Sequence, residues 1–173
     1  MSKIGLFYGP EGGNVEKVTR IIAEKIGADK VDVYKVKDVE IDVLDRYQYL
    51  VMGLSTLGKH TWSADHAHND WDEFLPKLEK ADLKGKKLAI YGLGDHIAYA
   101  DHFVDSIGDL AEVAIATGVE LVGKCSTEGY EFKESRAVVD GEFLGLPLDE
   151  DFESDLTVKR VNAWLKRVMP EFE

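Results

Sequence analysis

Short apolar runs alternate along the chain with stretches in which apolar side chains recur every three or four positions. Residues 3–8 form the first run and end at Gly9, the pattern of a parallel strand buried on both faces. Over residues 14–26 the recurrence is helical, with Val15, Val18, Ile21, Ile22 and Ile26 on one side and Gly27 as a stop. Residues 30–36 alternate as a strand does, and residues 49–53 make a further apolar run ending in glycine. A helix is predicted over residues 70–80, where Trp71, Phe74 and Leu78 share a face. A fourth strand follows over residues 86–92, launched from the Lys84-Gly85 turn. Residues 101–118 read as a helix with Phe103, Ile107, Leu110, Val113 and Ala114 inward, and residues 119–123 as the fifth strand. Residues 155–169 read as an amphipathic helix carrying Val158, Val161, Trp164, Leu165 and Val168.

Strands alternating with helices predict an α/β fold, an open doubly wound parallel sheet with helices on both faces. No repeat, low-complexity tract or linker interrupts the pattern, and residues 1–173 read as a single domain. One irregular stretch, residues 124–153, carries turn signals at Glu128-Gly129 and Asp140-Gly141 and reads as an insertion at the end of the fifth strand. A sheet of this kind binds its ligand beyond the carboxyl ends of its strands, where the strand order reverses. That directs attention to the loops after Tyr8, Gly53 and Gly92.

Charge narrows the partners. With 33 acidic and 21 basic side chains the formal net charge is −12 and the sequence pI about 4.8. A polyanion such as nucleic acid is repelled, because its affinity comes mainly from neutralised phosphates, and an anionic membrane surface is disfavoured for the same reason. Proteins with basic faces are steered inward. No run approaches the ~20 apolar residues of a membrane span. The chain starts on a strand without a signal-peptide apolar region, so a cytoplasmic location is expected. The single cysteine, Cys125, excludes an intrachain disulfide and reads as a packed residue rather than a reactive one.

The first loop is Gly9-Pro10-Glu11-Gly12-Gly13-Asn14-Val15. It joins a buried strand to a helix N-terminus, where free peptide N–H groups and the helix dipole favour a phosphate. A tight turn that binds nothing has the same sequence signature. The loop has neither the lysine of G-x-x-x-x-G-K-[ST] nor the glycines of G-x-G-x-x-G, which disfavours a nucleotide triphosphatase and a dinucleotide site. The second loop runs from Gly53 through Ser55-Thr56-Leu57-Gly58 and Trp62 to Asn69, and the third is Gly92-Leu93-Gly94-Asp95-His96-Ile97-Ala98-Tyr99-Ala100-Asp101. Both are long for strand-to-helix connections, as binding loops often are. Tyr99 and Trp62 are the aromatic side chains able to cover a planar ligand, although a loop tryptophan serves first as a partly buried anchor. His60, His66 and His68, with Asp65 and Asp70, raise a metal reading; the alternative is a solvated polar loop.

Here the sequence resembles the flavodoxins of the long-chain type, over the whole chain. The third loop is similar to that family's G-x-G-D-Q-x-G-Y-x-[DE]. Further matches are Ser126-Thr127-Glu128-Gly129-Tyr130-Glu131-Phe132, residues 137–146 (AVVDGEFLGL) and Leu148-Asp149-Glu150-Asp151. Ser55-Thr56-Leu57-Gly58, Phe74-Leu75-Pro76-Lys77 and Pro170-Glu171-Phe172 are similar to the subgroup associated with nitrogen fixation. The resemblance implies five parallel strands in the order 2-1-3-4-5 with an insertion splitting the fifth. It implies one non-covalent FMN, with its phosphate on Pro10, Glu11, Gly12, Gly13, Asn14 and Val15. Main-chain groups around Thr56 to Gly58, with Ser55, and around Leu93, Gly94 and Asp95 would meet the ring. Tyr99 would stack on its outer face, Leu57 would lie on the inner side, and Asp101 and Asp149 would fall near the ribityl chain. A peptide flip at Leu57-Gly58 is the family's redox switch.

One departure stands out. The family's phosphate loop reads [ST]-x-T-G-x-T, and here the three hydroxyl positions are Pro10, Gly12 and Val15. Each lost bond to a charged phosphate is worth roughly 1.5–3 kcal/mol. FMN held by ring and backbone contacts, weak FMN binding and a preference for riboflavin all stay open, with FMN favoured. The implied activity is a low-potential one-electron carrier, monomeric, working between a reductase and an acceptor with basic faces. Asp65, Asp70, Asp95, Asp101 and Asp149 would lower the flavin's potential by about 59 mV per tenfold change in the one-electron equilibrium, and Lys59 and His60 would oppose them. An NAD(P)H:quinone reductase on the same fold and a flavin-free interaction module are the alternatives. A phospho-receiver domain is excluded, because Phe7-Tyr8-Gly9 places no acid at the end of the first strand.

Overall fold

The computed structural model describes residues 2–55 and 70–173. At its centre is a parallel sheet in the order β2-β1-β3-β4-β5. Its strands are β1 (Ile4–Tyr8), β2 (Val31–Lys35), β3 (Tyr49–Leu54), β4 (Lys87–Leu93) and β5 (Glu120–Val122). All of β1 is buried, whereas β2 at the edge leaves Val33 exposed; central strands are covered on both faces and edge strands are not. Tyr8 lies opposite both Lys35 and Gly53, and Leu54 opposite Gly92. The three loops singled out by the sequence therefore leave the same edge of the sheet.

Among the described residues four α-helices cover the sheet: α1 (Asn14–Ile26), α2 (Asp70–Glu79), α3 (Asp105–Ile115) and α4 (Thr157–Phe172). α1 contacts α4, and α2 contacts α3. Successive residues of β4 point to the two layers, as strand alternation requires. The Tyr91 hydroxyl meets that of Thr19 on α1, and its ring lies edge-on to Trp164 of α4 at 6.3 Å. Gly92 faces the other layer, where a Cβ would lie 2.5 Å from Ile107 of α3. Gly53 makes room for Tyr91, whose ring would sit 2.0 Å from a Cβ on that residue.

The insertion is a small antiparallel sheet of β6 (Cys125–Ser126), β7 (Val138–Val139) and β8 (Glu142–Phe143), in the order β6-β8-β7. The chain then rejoins the main sheet as β9 (Leu146–Leu148), which pairs in parallel with β4 at Tyr91–Leu93, while β5 pairs with β4 at Lys87–Ala89. Two segments thus fill the fifth position, one on each side of the insertion. The insertion has an aromatic core of its own. Phe132 and Tyr130 each lie 5.2 Å from the Phe143 ring, and Phe103, from the main body, lies 5.8 Å from Phe132.

Several boundaries differ from the sequence pattern. The third helix begins at Asp105 rather than at 101, with Val104 in the left-handed region at φ 47. The residues before it are tied to the insertion instead: Phe103 N–H donates to Glu134 O at 3.2 Å, and Ala100 O accepts from Lys133 N–H at 2.8 Å. The last helix runs past Pro170 to Phe172, which is buried and stacked on Tyr49 at 5.1 Å. A 3-10 turn at Ile41–Arg46, unmarked in the pattern, buries Leu44. Cys125 is buried, and burial pushes its thiol up to about 11, the state of an inert packed cysteine. Among the described residues no helix is long and apolar enough to cross a membrane.

Candidate functional site

The first loop is fastened from below. Gly9 N–H donates to Gly53 O at 3.2 Å, and the Trp71 indole N–H donates to Gly9 O at 3.2 Å. Pro10 brings no N–H. Gly12 takes φ +82, and beyond their chain neighbours neither Gly12 nor Gly13 has an atom of the described residues within 4 Å of where a Cβ would stand. Gly13 caps α1 without a side-chain bond, so the first-turn N–H groups are left for an outside acceptor. Asn14 is exposed, while the Val15 side chain is buried in the core and leaves only its backbone to the loop. Glu11 does not oppose an anion here. Its carboxylate is held by Lys35 at 2.7 Å and by Lys37, and the two ammonium groups pull its carboxyl down to about 2.

The second loop is described only to Ser55, whose carbonyl accepts a bond from the Ser106 hydroxyl at the start of α3. Thr56, Leu57 and Gly58 lie outside the described residues, as do Lys59, His60, Trp62, Asp65, His66 and His68 and the metal reading placed on them. Asp70 opens α2.

The third loop is built by short-range bonds. Leu93 is buried at the end of β4, and Gly94 N–H donates to Leu148 O at 2.9 Å. Asp95 Oδ1 accepts from the N–H groups of Ile97 at 2.9 Å and Ala98 at 2.8 Å, and Tyr99 N–H closes on Asp95 O at 3.1 Å. This aspartate-capped turn leaves two large apolar side chains in the open, Ile97 at 59% and Tyr99 at 46% exposure. Asp101 is exposed beyond them.

Asp149 is placed differently from Asp101. It is fully buried just after β9. Its Oδ1 accepts from Asp151 and Phe152 N–H at 2.9 Å each, and its Oδ2 from His96 N–H at 3.1 Å and from the His96 ring Nδ1. Burial works against the charged form, but the His96 ring and the peptide donors outweigh it and hold the Asp149 carboxyl below the usual carboxylate range. A carboxyl depressed in the folded state adds stability above its ordinary value of 3.8 and loses it as pH falls through the folded value. Asp149→Asn, which turns amide hydrogens toward peptide donors, is expected to lower the unfolding free energy by about 3 kcal/mol at pH 7. Urea unfolding at a series of pH values checks this: the gap to wild type narrows once pH drops below 3.8.

His96 itself is a site residue that the sequence pattern does not announce. The only signal is a histidine where the resembled motif has glutamine. Glu153 stands 3.7 Å from the same ring nitrogen, and Arg160 pairs with Glu153 at 3.1 Å.

A group with a phosphate at one end and a planar ring at the other fits these residues. The uncapped helix start with its bare glycines offers peptide N–H groups to the anion, and the exposed Tyr99 offers a face to the ring. Comparisons with known proteins bear on the family. Residues 6–164 match the family model described as Flavodoxin. The flavodoxin of a Nostoc species is 42% identical over 170 residues, covering 98% of this chain and 97% of its own length. Flavodoxin 1 of Escherichia coli K12 is 35% identical over 172 residues, covering 99% and 95%. Among solved structures, the Fusobacterium nucleatum flavodoxin bound to flavin mononucleotide superposes with a TM-score of 0.88 at 28% identity, covering 100% of both chains. With the sheet order, the split fifth strand and matches of this length in agreement, the chain belongs to the flavodoxin family.

Proposed function

We propose that the chain binds one FMN without a covalent bond and works as an electron carrier between redox proteins, turning over no substrate of its own. The observation that carries this reading is the shared sheet edge, from which an uncapped helix start with open glycines after β1 and an exposed Tyr99 after β4 both leave a flavodoxin-family chain. Bound FMN supplies one-electron chemistry, and the protein supplies binding, orientation and field. Backbone N–H groups of Gly12, Gly13, Asn14 and Val15 receive the phosphate, and Pro10 and Glu11 shape the turn without donating side-chain bonds. Ser55, Thr56, Leu57 and Gly58 border the ring on one side, and Leu93, Gly94 and Asp95 on the other. Tyr99 covers its outer face, and Asp101 lies toward the ribityl chain. Asp149, with both oxygens occupied by protein donors, serves the site from beneath the third loop.

The net charge of −12 favours a reductase and a low-potential acceptor with basic faces. The carrier works as a cytoplasmic monomer in this reading. The deciding experiment is a fluorescence titration of the flavin-free chain with FMN and with riboflavin. Quenching of both is expected, with FMN bound more tightly. A chain that leaves both flavins fully fluorescent at high micromolar concentration overturns the proposal.

A further inference from the structure

His96 has no part in the function proposed above, and the glutamine of the resembled motif cannot change its charge. Its ring stands where two functional segments meet. Three bonds tie the start of the third loop to the end of β9 and the residue after it: Gly94 N–H to Leu148 O at 2.9 Å, His96 N–H to Asp149 Oδ2 at 3.1 Å, and the His96 ring to the same carboxylate. Of the three, only the ring contact is made by an imidazole, the type of side chain that can carry a second proton. Tyr99 is carried by the same loop, through the turn that Asp95 closes.

We propose that His96 is a positioning residue for the flavin: carrying its second proton it clasps Asp149 and Glu153 and holds the Tyr99 loop in place, and losing that proton loosens the hold, so flavin affinity falls as pH rises. The proposal rests on the reading that flavin binds beside Tyr99. The charges around the ring support it. Asp149 and Glu153 face it from the segment after β9, and Asp95 precedes it in its own loop. Asp151 lies in the field of Asp149, Asp95 and Glu150. On α4, Arg160 is engaged with Glu153 and sits 4.1 Å above the Tyr130 ring. Phe103 and Phe152 close the sides with edge-on rings at 6.4 and 6.1 Å. The His96 side chain is only 13% exposed and that of Asp149 is fully buried, so water screens the pair poorly. With an imidazolium the two carboxylates meet two cations; with a neutral ring Arg160 is the one cation left to them among the described residues. A divalent metal suits these atoms less well, because both Asp149 oxygens already accept peptide bonds.

The test compares wild type with His96→Gln, which keeps a hydrogen-bond donor but does not titrate. The probe is riboflavin, which has no phosphate to titrate in the same range. Between about pH 5.5 and 8, the range in which histidine ordinarily changes charge, the wild-type dissociation constant is expected to rise about tenfold, a coupling of about 1.4 kcal/mol. His96→Gln is expected to stay within about twofold. Parallel profiles overturn the proposal. If the wild type binds neither riboflavin nor FMN, the electron-carrier reading fails, and the clasp is judged on the flavin-free chain by Tm. A wild-type advantage over His96→Gln that is larger at the lower pH supports the clasp, and an equal advantage at both overturns it.

Discussion

Gly108→Ala is expected to destabilise the protein by about 2 kcal/mol, against the direction that helix propensity predicts. In a helix interior alanine is favoured over glycine by about 1 kcal/mol. Gly108 lies within α3, but a Cβ there would stand 2.3 Å from Arg136 O, 2.6 Å from its carbonyl carbon and 2.9 Å from Ala137 N. These are backbone atoms and cannot swing aside as a side chain would. The segment is also pinned, since Arg136 N–H donates to the buried Asp105 carboxylate at 2.7 Å and Ala137 O accepts from Leu144 N–H at 2.8 Å. Overpacking against such a wall costs about 3 kcal/mol, at the upper end of its usual range, and exceeds the propensity gain. For a chain of this size the net corresponds to a Tm lower by about 4–8 °C. Glu112→Ala, on the exposed side of the same helix, is expected to move Tm by less than about 2 °C. A Gly108→Ala protein that melts above wild type would show that the insertion yields and that propensity decides.

That contact between helix and insertion was beyond the reach of the sequence, whereas the central strands were plain. Strands β1, β3 and β4 are buried on both faces and therefore read as unbroken apolar runs. The start of α3 misleads because Phe103 precedes Ile107 at helical spacing, yet its ring joins the aromatic core of the insertion and its N–H bonds to Glu134. The sequence pattern ends the last helix at Met169, but Pro170 sits in the last turn, and the packing of Phe172 on Tyr49 carries the helix past it. Strand β9 is hidden for a different reason. Leu146-Pro147-Leu148 is short and contains a proline, which is not expected inside a sheet. It is tolerated because this segment pairs only with β4, outside the main strand path.

The site divides along the same line. The third loop was legible from its length and its place after the fourth strand, and the structure adds that Asp95 caps its own next residues within one turn. The His96 to Asp149 clasp spans 53 positions, and the grip of Lys35 and Lys37 on Glu11 is likewise remote in sequence. The hydroxyl-poor phosphate loop also gains a physical account. Gly12 holds a left-handed backbone angle of +82, so a threonine there would be strained, and the Val15 side chain is committed to the core. The lost hydroxyls therefore belong to a different local backbone and packing, and single substitutions back toward the family pattern do not simply restore them.

Tyr99→Ala is expected to weaken flavin binding by about 10- to 100-fold and to raise the fluorescence of the flavin that remains in the mixture. Stacking of an aromatic side chain on a planar heterocycle is worth about 1–3 kcal/mol, a factor of about 5 to 150 that brackets that range. The fold should not change with it. Tyr99 enters the loop through its backbone, donating to Asp95 O at 3.1 Å and accepting from His102 N–H at 3.0 Å. Its side chain, 46% exposed, makes no hydrogen bond among the described residues. Truncation therefore removes a ring face while leaving the Asp95 turn and the Asp149 clasp in place, and the Tm of the flavin-free chain should stay within about 2 °C of wild type. Tyr99→Phe, which keeps the ring, should recover most of the affinity. An alanine variant that binds and quenches flavin as wild type does would remove Tyr99 from the site. A fall in affinity that tracked a fall in Tm would show instead that the ring props up the loop rather than covering the flavin.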